Sequence, residues 1–372
     1  MGNQARRIKG NLTENPGGAT LHGAAATAPC CETEPSLDDK VRFLSHTLTS
    51  GTRTPELKET RMSWVFLTGD EAVKLKKPVR LPYLDFATVQ RREKACRAEL
   101  ALNRRLAPDV YKAVVPIVRS GGGGLALGDG GDAKREVVDW LVVMRRLDAD
   151  GTLERSIAAG RLTALHLDRL VSTLTEFYRH AMPVLISPES HLRGWHASLA
   201  VTARTLFDRR LDLPGGLVRQ VHRTQRRFLA AHSGLIAARV RDRHIVDGHG
   251  DLRPEHIWLT DPVRIIDGQE FNARLRAVDP CDEIAFLCLE CDRLGCPAAA
   301  AHIRRRAAHR LPGGLPDELF TFYRCHRAGL RARLAATHFL DPGPHPPEKW
   351  LGLARTYLRL AADDARRLGQ FM

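Results

Sequence analysis

Apolar positions along this chain change rhythm near residue 147: before it they fall in short strand-length runs, and after it they recur every three to four residues. Trp64-Val65-Phe66-Leu67 and Ala72-Val73-Lys74-Leu75-Lys76 flank Thr68-Gly69-Asp70-Glu71, and two such runs joined by a glycine-containing turn predict a β-hairpin. A helix is expected across Thr88 to Leu106, where Val89, Cys96, Leu100, Leu102 and Leu106 roughly keep helical spacing. Val114-Val115-Pro116-Ile117-Val118 and Trp140-Leu141-Val142-Val143-Met144 read as further strands. The glycines between residues 121 and 131 fit a long hairpin tip better than a phosphate cradle, because no helix start follows them. Beyond Leu147, Leu167, Leu170, Val171, Leu174, Phe177, Tyr178 and Ala181 form a long amphipathic stripe, and the last sixty residues repeat that style. The fold class is therefore α+β: a β-rich N-terminal lobe over residues 36–147, a linker near 144–150, and an α-helical C-terminal lobe over 148–372 with a short β-like insert at 245–271. Residues 1–35, rich in Gly, Ala, Thr, Asn and Pro with almost no large apolar side chain, are expected to be a disordered tail.

Composition narrows the function classes only a little. The 372 residues carry a net charge of +14, which alone would suit nucleic acid, a membrane surface or an anionic substrate. The arginines are spread along the chain, and the dense patches Arg91-Arg92, Arg104-Arg105 and Arg223 with Arg226-Arg227 lack aromatic interleaving, so they read as solvated helix faces rather than a nucleic-acid footprint. Arg324, Arg327 and Arg331 share one helix face, which reads as solvated or, alternatively, as the lining of an anionic groove. No apolar run reaches the length of a membrane span and the N-terminus lacks the parts of a signal peptide, so a cytoplasmic protein is expected. Cys288-x-x-Cys291 followed by Cys296 is the only metal-like cysteine spacing, and with no second pair it reads as buried free thiols.

The densest chemical signal is His249-Gly250-Asp251-Leu252-Arg253-Pro254-Glu255-His256-Ile257-Trp258-Leu259, followed by Val263-Arg264-Ile265-Ile266-Asp267. Two aspartates sixteen positions apart, each beside an apolar strand-like run, are what a metal–nucleotide site needs. One carboxylate orients a hydroxyl, and the other holds the metal that bridges the phosphates.

Here the chain resembles the aminoglycoside phosphotransferase-like kinases, whose loop reads H-G-D-x-x-x-x-N and whose metal aspartate follows on the next strand. Asp279-Pro280-Cys281-Asp282-Glu283-Ile284-Ala285 is similar to their D-P-x-x-D-L-A helix start, with Glu283 in place of the second Asp. Glu59 to Leu67, Lys74-Leu75-Lys76-Lys77-Pro78, Leu84-Asp85-Phe86, Leu102 to Pro108 and Glu270-Phe271 resemble a bacterial branch sometimes fused to a P-loop ATP-binding domain. No GxxxxGK[ST] occurs in this chain. The resemblance, spanning roughly residues 38–360, implies a two-lobed protein-kinase-like fold, ATP and Mg2+ as cofactors, and transfer of phosphate to a hydroxyl of a small molecule.

Carried onto this sequence, it makes Asp251 the catalytic carboxylate, with His249 bracing the loop, and Asp267 the magnesium ligand. Lys74 and Lys76 share a strand face, and the L-K-K-P context favours Lys76 as the phosphate lysine. Glu99 is its expected partner, with Glu93 as the alternative. Trp140 to Leu147 resembles the hinge that binds adenine, which brings in Met144 and Leu147. The nucleotide loop is sought near Ser63 to Asp70. The departure is His256, which stands where the family has its second, asparagine metal ligand; imidazole suits hard magnesium poorly. That residue keeps a second reading alongside the kinase: a nucleotide-binding pseudokinase with little or no transfer. A nucleic-acid-binding protein driven by net charge ranks last, no membrane partner is implied, and the acceptor and oligomeric state stay open.

Overall fold

Helix α1 (Leu37–Thr47) begins at a reciprocal cap: the Ser36 hydroxyl accepts the Asp39 amide, and the Asp39 carboxylate accepts the Ser36 amide. This computed structural model describes residues 34–49, 53–81, 83–121, 123–128, 135–340 and 347–372. Of the tail expected over 1–35, all but Glu34 and Pro35 lies outside the described residues. After α1 come β1 (Glu56–Glu59), β2 (Ser63–Leu67), β3 (Glu71–Lys76), the small hairpin β4 (Arg80–Leu81) and β5 (Leu84–Asp85), and α2 (Val89–Asn103) capped by Thr88. Then follow β6 (Tyr111–Arg119), β7 (Leu125–Leu127) and β8 (Val137–Arg145). Six of these strands form one antiparallel sheet in the order β1-β2-β3-β8-β6-β7. The turn at Ser120–Gly124 joins β6 to β7, so this part of the glycine-rich segment is a hairpin tip.

The period-two alternation of β3 decides what each face of the sheet does. Val73 and Leu75 point to the back, where with Phe66, Ile117, Val138 and Leu141 they pack on Leu37, Val41 and Leu44 of α1. Ala72, Lys74 and Lys76 point to the front, toward α2 and the cleft. Asp139 of β8 joins the two helices: it accepts from Lys40 of α1 at 2.9 Å and from Arg92 of α2 at 2.7 and 3.0 Å, with all three side chains buried.

The chain leaves the sheet after Arg145 and becomes mainly helical. The helices α3 (Leu153–Ala158), α4 (Ala164–His180), α5 (Pro188–Leu206), α6 (Gly215–Ala231) and α7 (Ser233–Arg241) lead to β9 (Val246–Asp247), β10 (Ile257–Trp258), β11 (Arg264–Ile265), α8 (Ala273–Arg276) and β12 (Ala277–Val278). β9 pairs with β12 and β10 with β11, giving the short β insert that carries the H-G-D loop. Helices α9 (Pro280–Arg293), α10 (Pro297–Ala308), α11 (Asp317–Leu340) and α12 (Pro347–Leu368) complete the fold. Alanines 328, 332, 335 and 336 of α11 meet alanines 354, 361, 362 and 365 of α12 in one core, the small side chains letting the two helices approach closely.

One expectation changes at this level. The arginine face of α11 is not a solvated one: Arg324 and Arg327 are buried, paired with Asp364 and Asp292 and with Asp282 respectively, while Arg331 is half-buried. Two of the helix's arginines therefore neutralise acids of α9 and α12. Cys288 and Cys291 are buried thiols as expected, and burial pushes the Cys288 thiol up to about 12. No helix among the described residues is long and apolar enough to cross a membrane.

Candidate active site

The H-G-D loop takes its shape from below. Glu283, fully buried at the start of α9, accepts the amides of His249 at 2.9 Å and Gly250 at 2.5 Å and the hydroxyl of Tyr178 at 2.8 Å. The longer Glu at this position thus serves as the anchor of the loop. Gly250 sits at φ +89°, and a Cβ there would meet Gln269 at 2.8 Å, so the turn that presents Asp251 requires glycine. His249 has both ring nitrogens engaged: Nε2 meets the Ile266 carbonyl at 3.0 Å and Nδ1 accepts the Asp251 amide at 3.3 Å. It ties the two aspartate loops together, and burial lowers its pKa, keeping the ring neutral.

Among the described residues, Asp267 is one of three non-glycine residues with positive φ, at 63°. Such strain is held only where the surroundings over-determine it. The Asp267 amide donates to the Tyr111 hydroxyl at 3.3 Å, and the Gly268 amide donates to Asn103 Oδ1 at 2.8 Å. Asn103, from the L-N-R-R-L-A-P segment, therefore positions the backbone after Asp267 from the end of α2.

The two lysines of β3 do different things. Lys74 Nζ donates to Glu99 at 2.8 Å and to Asp267 Oδ1 at 3.1 Å, and its side chain is 16% exposed. Lys76 Nζ donates to Glu99 at 2.6 Å and Glu270 at 2.5 Å, lies over the Phe86 ring and is 1% exposed. Lys74 thus bridges Glu99 to Asp267, whereas Lys76 is sealed behind it. Glu99 is the shared partner; Glu93 pairs with Arg97 on the exposed side of α2. Burial works against the Lys74 ammonium, yet Asp267 and Glu99 outweigh it and raise its pKa well above the ordinary value. Reciprocally, Lys74 holds the Asp267 carboxyl well below the usual carboxylate range.

Arg253, which the sequence reading passed over, joins the aspartates on the other side. Its guanidinium donates to Asp251 Oδ2 at 3.1 Å, pairs with Glu255 at 2.6 Å and stands 3.4 Å from His256 Nε2. Burial opposes the Asp251 carboxylate, but Arg253 and His256 hold its pKa below the ordinary value. The signal available for Arg253 was its place two residues after the aspartate.

His256 Nδ1 lies 3.0 Å from the Asp251 carbonyl, which can only accept, so that nitrogen carries the proton and Nε2 faces Asp267 Oδ2 at 3.6 Å. Asp267 and His256 therefore offer a divalent cation one carboxylate and one imidazole donor, a set that fits such an ion when phosphate oxygens complete its shell. Among the described residues no three His, Cys, Asp or Glu side chains form a protein-only cage.

Beside Lys74, the front of the sheet carries an apolar cluster. Val65, Leu67, Ala72, Met144, Leu147 and Ile266 belong to one cluster. Met144 is inside the ladder, opposite Ala72 and Tyr111, so its side chain is what it contributes; Leu147 follows where the chain has left the sheet. The segment Ser63 to Asp70, where the nucleotide loop is expected, is strand β2 and the turn into β3. The Thr68–Asp70 turn lies against Arg146 at the hinge end, while the β1–β2 turn at Thr60–Met62 lies beside Lys76 and Lys77. A groove of about 660 Å3, lined by Arg105, Phe177, Met182 and Asp247 among others, contains none of the site side chains above.

A choline/ethanolamine kinase family protein of Mesorhizobium loti superposes over 89% of this chain and all of its own, with a TM-score of 0.52 at 14% identity. The fold is kinase-like. A structure of an aminoglycoside phosphotransferase aligns over 87% of this chain and 99% of its own at a TM-score of 0.48 and 12% identity. In sequence, uncharacterised proteins of Mycobacterium tuberculosis and Mycobacterium bovis are 30% identical over 295 residues. That match covers 78% of this chain and 56% of theirs, so the chain spans little more than half the length of these relatives. No protein-family model matches the chain.

Proposed function

We propose that this kinase-like chain is an ATP-dependent phosphotransferase acting on a hydroxyl of a small molecule. The observation that carries the reading is Lys74 joining Glu99 to Asp267 while Arg253 and His256 join Asp267's loop to Asp251. Phosphoryl transfer asks mainly for alignment and for cancellation of charge on the phosphate oxygens, and this constellation offers both. The adenine ring packs against Val65, Ala72 and Ile266, with Met144 and Leu147 at its hinge side. Lys74, rather than Lys76, meets the phosphates, since it is the one that reaches the cleft and Asp267. Lys76 braces Glu99 from behind.

Asp251 accepts the hydrogen of the acceptor hydroxyl and orients its oxygen in line with the γ-phosphate. Its depressed pKa makes it an orienting group that stays ionised at neutral pH rather than a proton store. Arg253, already beside Asp251, is placed to offset charge on the transferring group. Asp267 and His256 would hold a divalent ion, whose charge would offset part of that on the phosphates.

The test is ATP consumption by the full chain over a panel of hydroxyl-bearing metabolites and aminoglycosides, with Asp251→Asn as the blank. Turnover is expected to fall by roughly 10²–10⁴-fold in the variant, with ATP affinity retained. Undiminished turnover in Asp251→Asn refutes the assignment. His256 also favours a second reading, a pseudokinase; ATP binding with no consumption on any acceptor would select it.

A further inference from the structure

We infer that the metal position of this chain is built for a first-row transition-metal dication in preference to Mg2+, with His256 Nε2 and Asp267 Oδ2 as its two protein donors. The inference rests on the reading of Asp267 as a metal ligand and adds the identity of the ion. Three observations carry it. His256 is buried, and its Nδ1 is fixed by the Asp251 carbonyl at 3.0 Å, so the ring cannot turn Nε2 away without losing that bond. The two Asp267 oxygens are divided: Oδ1 meets Lys74 at 3.1 Å, and Oδ2 faces His256 Nε2 at 3.6 Å, close enough for both to bind one ion. Arg253 does not block that position. Its contact to Nε2, at 3.4 Å, is the longest of its three, and Glu255 at 2.6 Å and Asp251 at 3.1 Å hold it when a cation displaces the third.

An imidazole nitrogen beside a carboxylate is a borderline donor pair. Mg2+ binds oxygen and gives up its waters reluctantly, whereas first-row transition ions accept nitrogen more readily, Mn2+ the least of them. An oxygen donor in place of His256 would remove the preference.

The experiment uses the full chain with Mn2+ as the paramagnetic probe, with and without ADP. Free Mn2+ is followed by electron paramagnetic resonance during competition with Mg2+, and the bound ion by electron spin-echo modulation. Wild type is expected to show a directly coordinated ¹⁴N coupling. In His256→Asn that coupling should vanish and the Mn2+-over-Mg2+ preference should drop roughly tenfold or more. Mn2+ bound without nitrogen coupling overturns the inference, as does the absence of Mn2+ binding in both arms. The wild-type spectrum decides even if the variant fails to fold. ADP binding is measured separately by equilibrium dialysis: its absence would sink the phosphotransferase reading, while nitrogen-coupled Mn2+ would still stand.

Discussion

Replacing the two lysines of β3 one at a time should damage two different properties. Lys76→Met removes the cation between Glu99 and Glu270, whose side chains are 1% and 8% exposed, and leaves two carboxylates facing each other in the core. Removing one partner of a buried pair costs roughly 3–5 kcal/mol, or about 6–20 °C in Tm at the roughly 2–4 °C per kcal/mol of larger domains. Adding Glu270→Gln to that variant should recover part of the loss. Lys74→Met leaves Glu99 still paired with Lys76, and Asp267, whose side chain is 47% exposed, returns to water. Its cost in stability should therefore be ~1 kcal/mol or less. What it loses is a charged contact to phosphate of roughly 1.5–3 kcal/mol, a fall in ATP affinity of about 10- to 150-fold. Thermal unfolding and calorimetric ATP titration on both variants measure the two properties separately. The reasoning fails if Lys74→Met unfolds as easily as Lys76→Met, or if a folded Lys76→Met alone loses ATP.

Three further outcomes follow from the loop geometry. Glu283→Gln turns one of the two carboxylate oxygens that hold the His249 and Gly250 amides into a donor and should cost roughly 2–3 kcal/mol, whereas Tyr178→Phe should cost about 1 kcal/mol, compared by urea unfolding. Gly250→Ala must keep φ +89° and displace Gln269, costing roughly 1–3 kcal/mol and lowering turnover further than stability alone explains. The Asp251 and Asp267 carboxyls are depressed in the folded chain, so their stabilising share is complete above the unfolded carboxylate pKa of about 4 and drains away as pH falls through the folded values. Tm should accordingly be level from pH 7 to 5 and drop below about pH 4, more shallowly in Asp267→Asn; an equal slope in both counts against the Lys74–Asp267 pair.

The parts of this molecule legible in its sequence are those where one local signal sufficed. The Trp64–Lys76 hairpin and the amphipathic stripe from Leu167 formed because their periodicity matched their burial, whereas the helix after Thr88 buries Arg92, Glu99 and Asn103 beside Ala95 and Cys96. The two aspartates were legible because glycine and strand context framed them. The choice between Lys74 and Lys76 was not, since alternation gives both the same face and only the position of Asp267 separates them. Helix α1 went unread although Ser36 and Asp39 spell a capping box and Leu37, Val41 and Leu44 keep helical spacing. Strand β1, Glu56–Glu59, is exposed throughout and carries no apolar alternation; its pairing with β2 alone makes it a strand. The α11 arginines misled because sequence shows a charged stripe but not the acids waiting on neighbouring helices.

The joint between α1, Asp139 and α2 makes the back of the sheet a lever on the cleft. Arg92 lies seven residues, about two helical turns, before Glu99 on the same side of α2, so the grip that fixes Arg92 also sets where Glu99 meets the lysines. Anything that lifts α1 off Phe66, Val73 and Leu75 takes Lys40 with it and leaves Asp139 to Arg92 alone. A surface remote from the two aspartates is in this way mechanically in series with Lys74, and loosening it would slacken the front of the lobe without touching any side chain there.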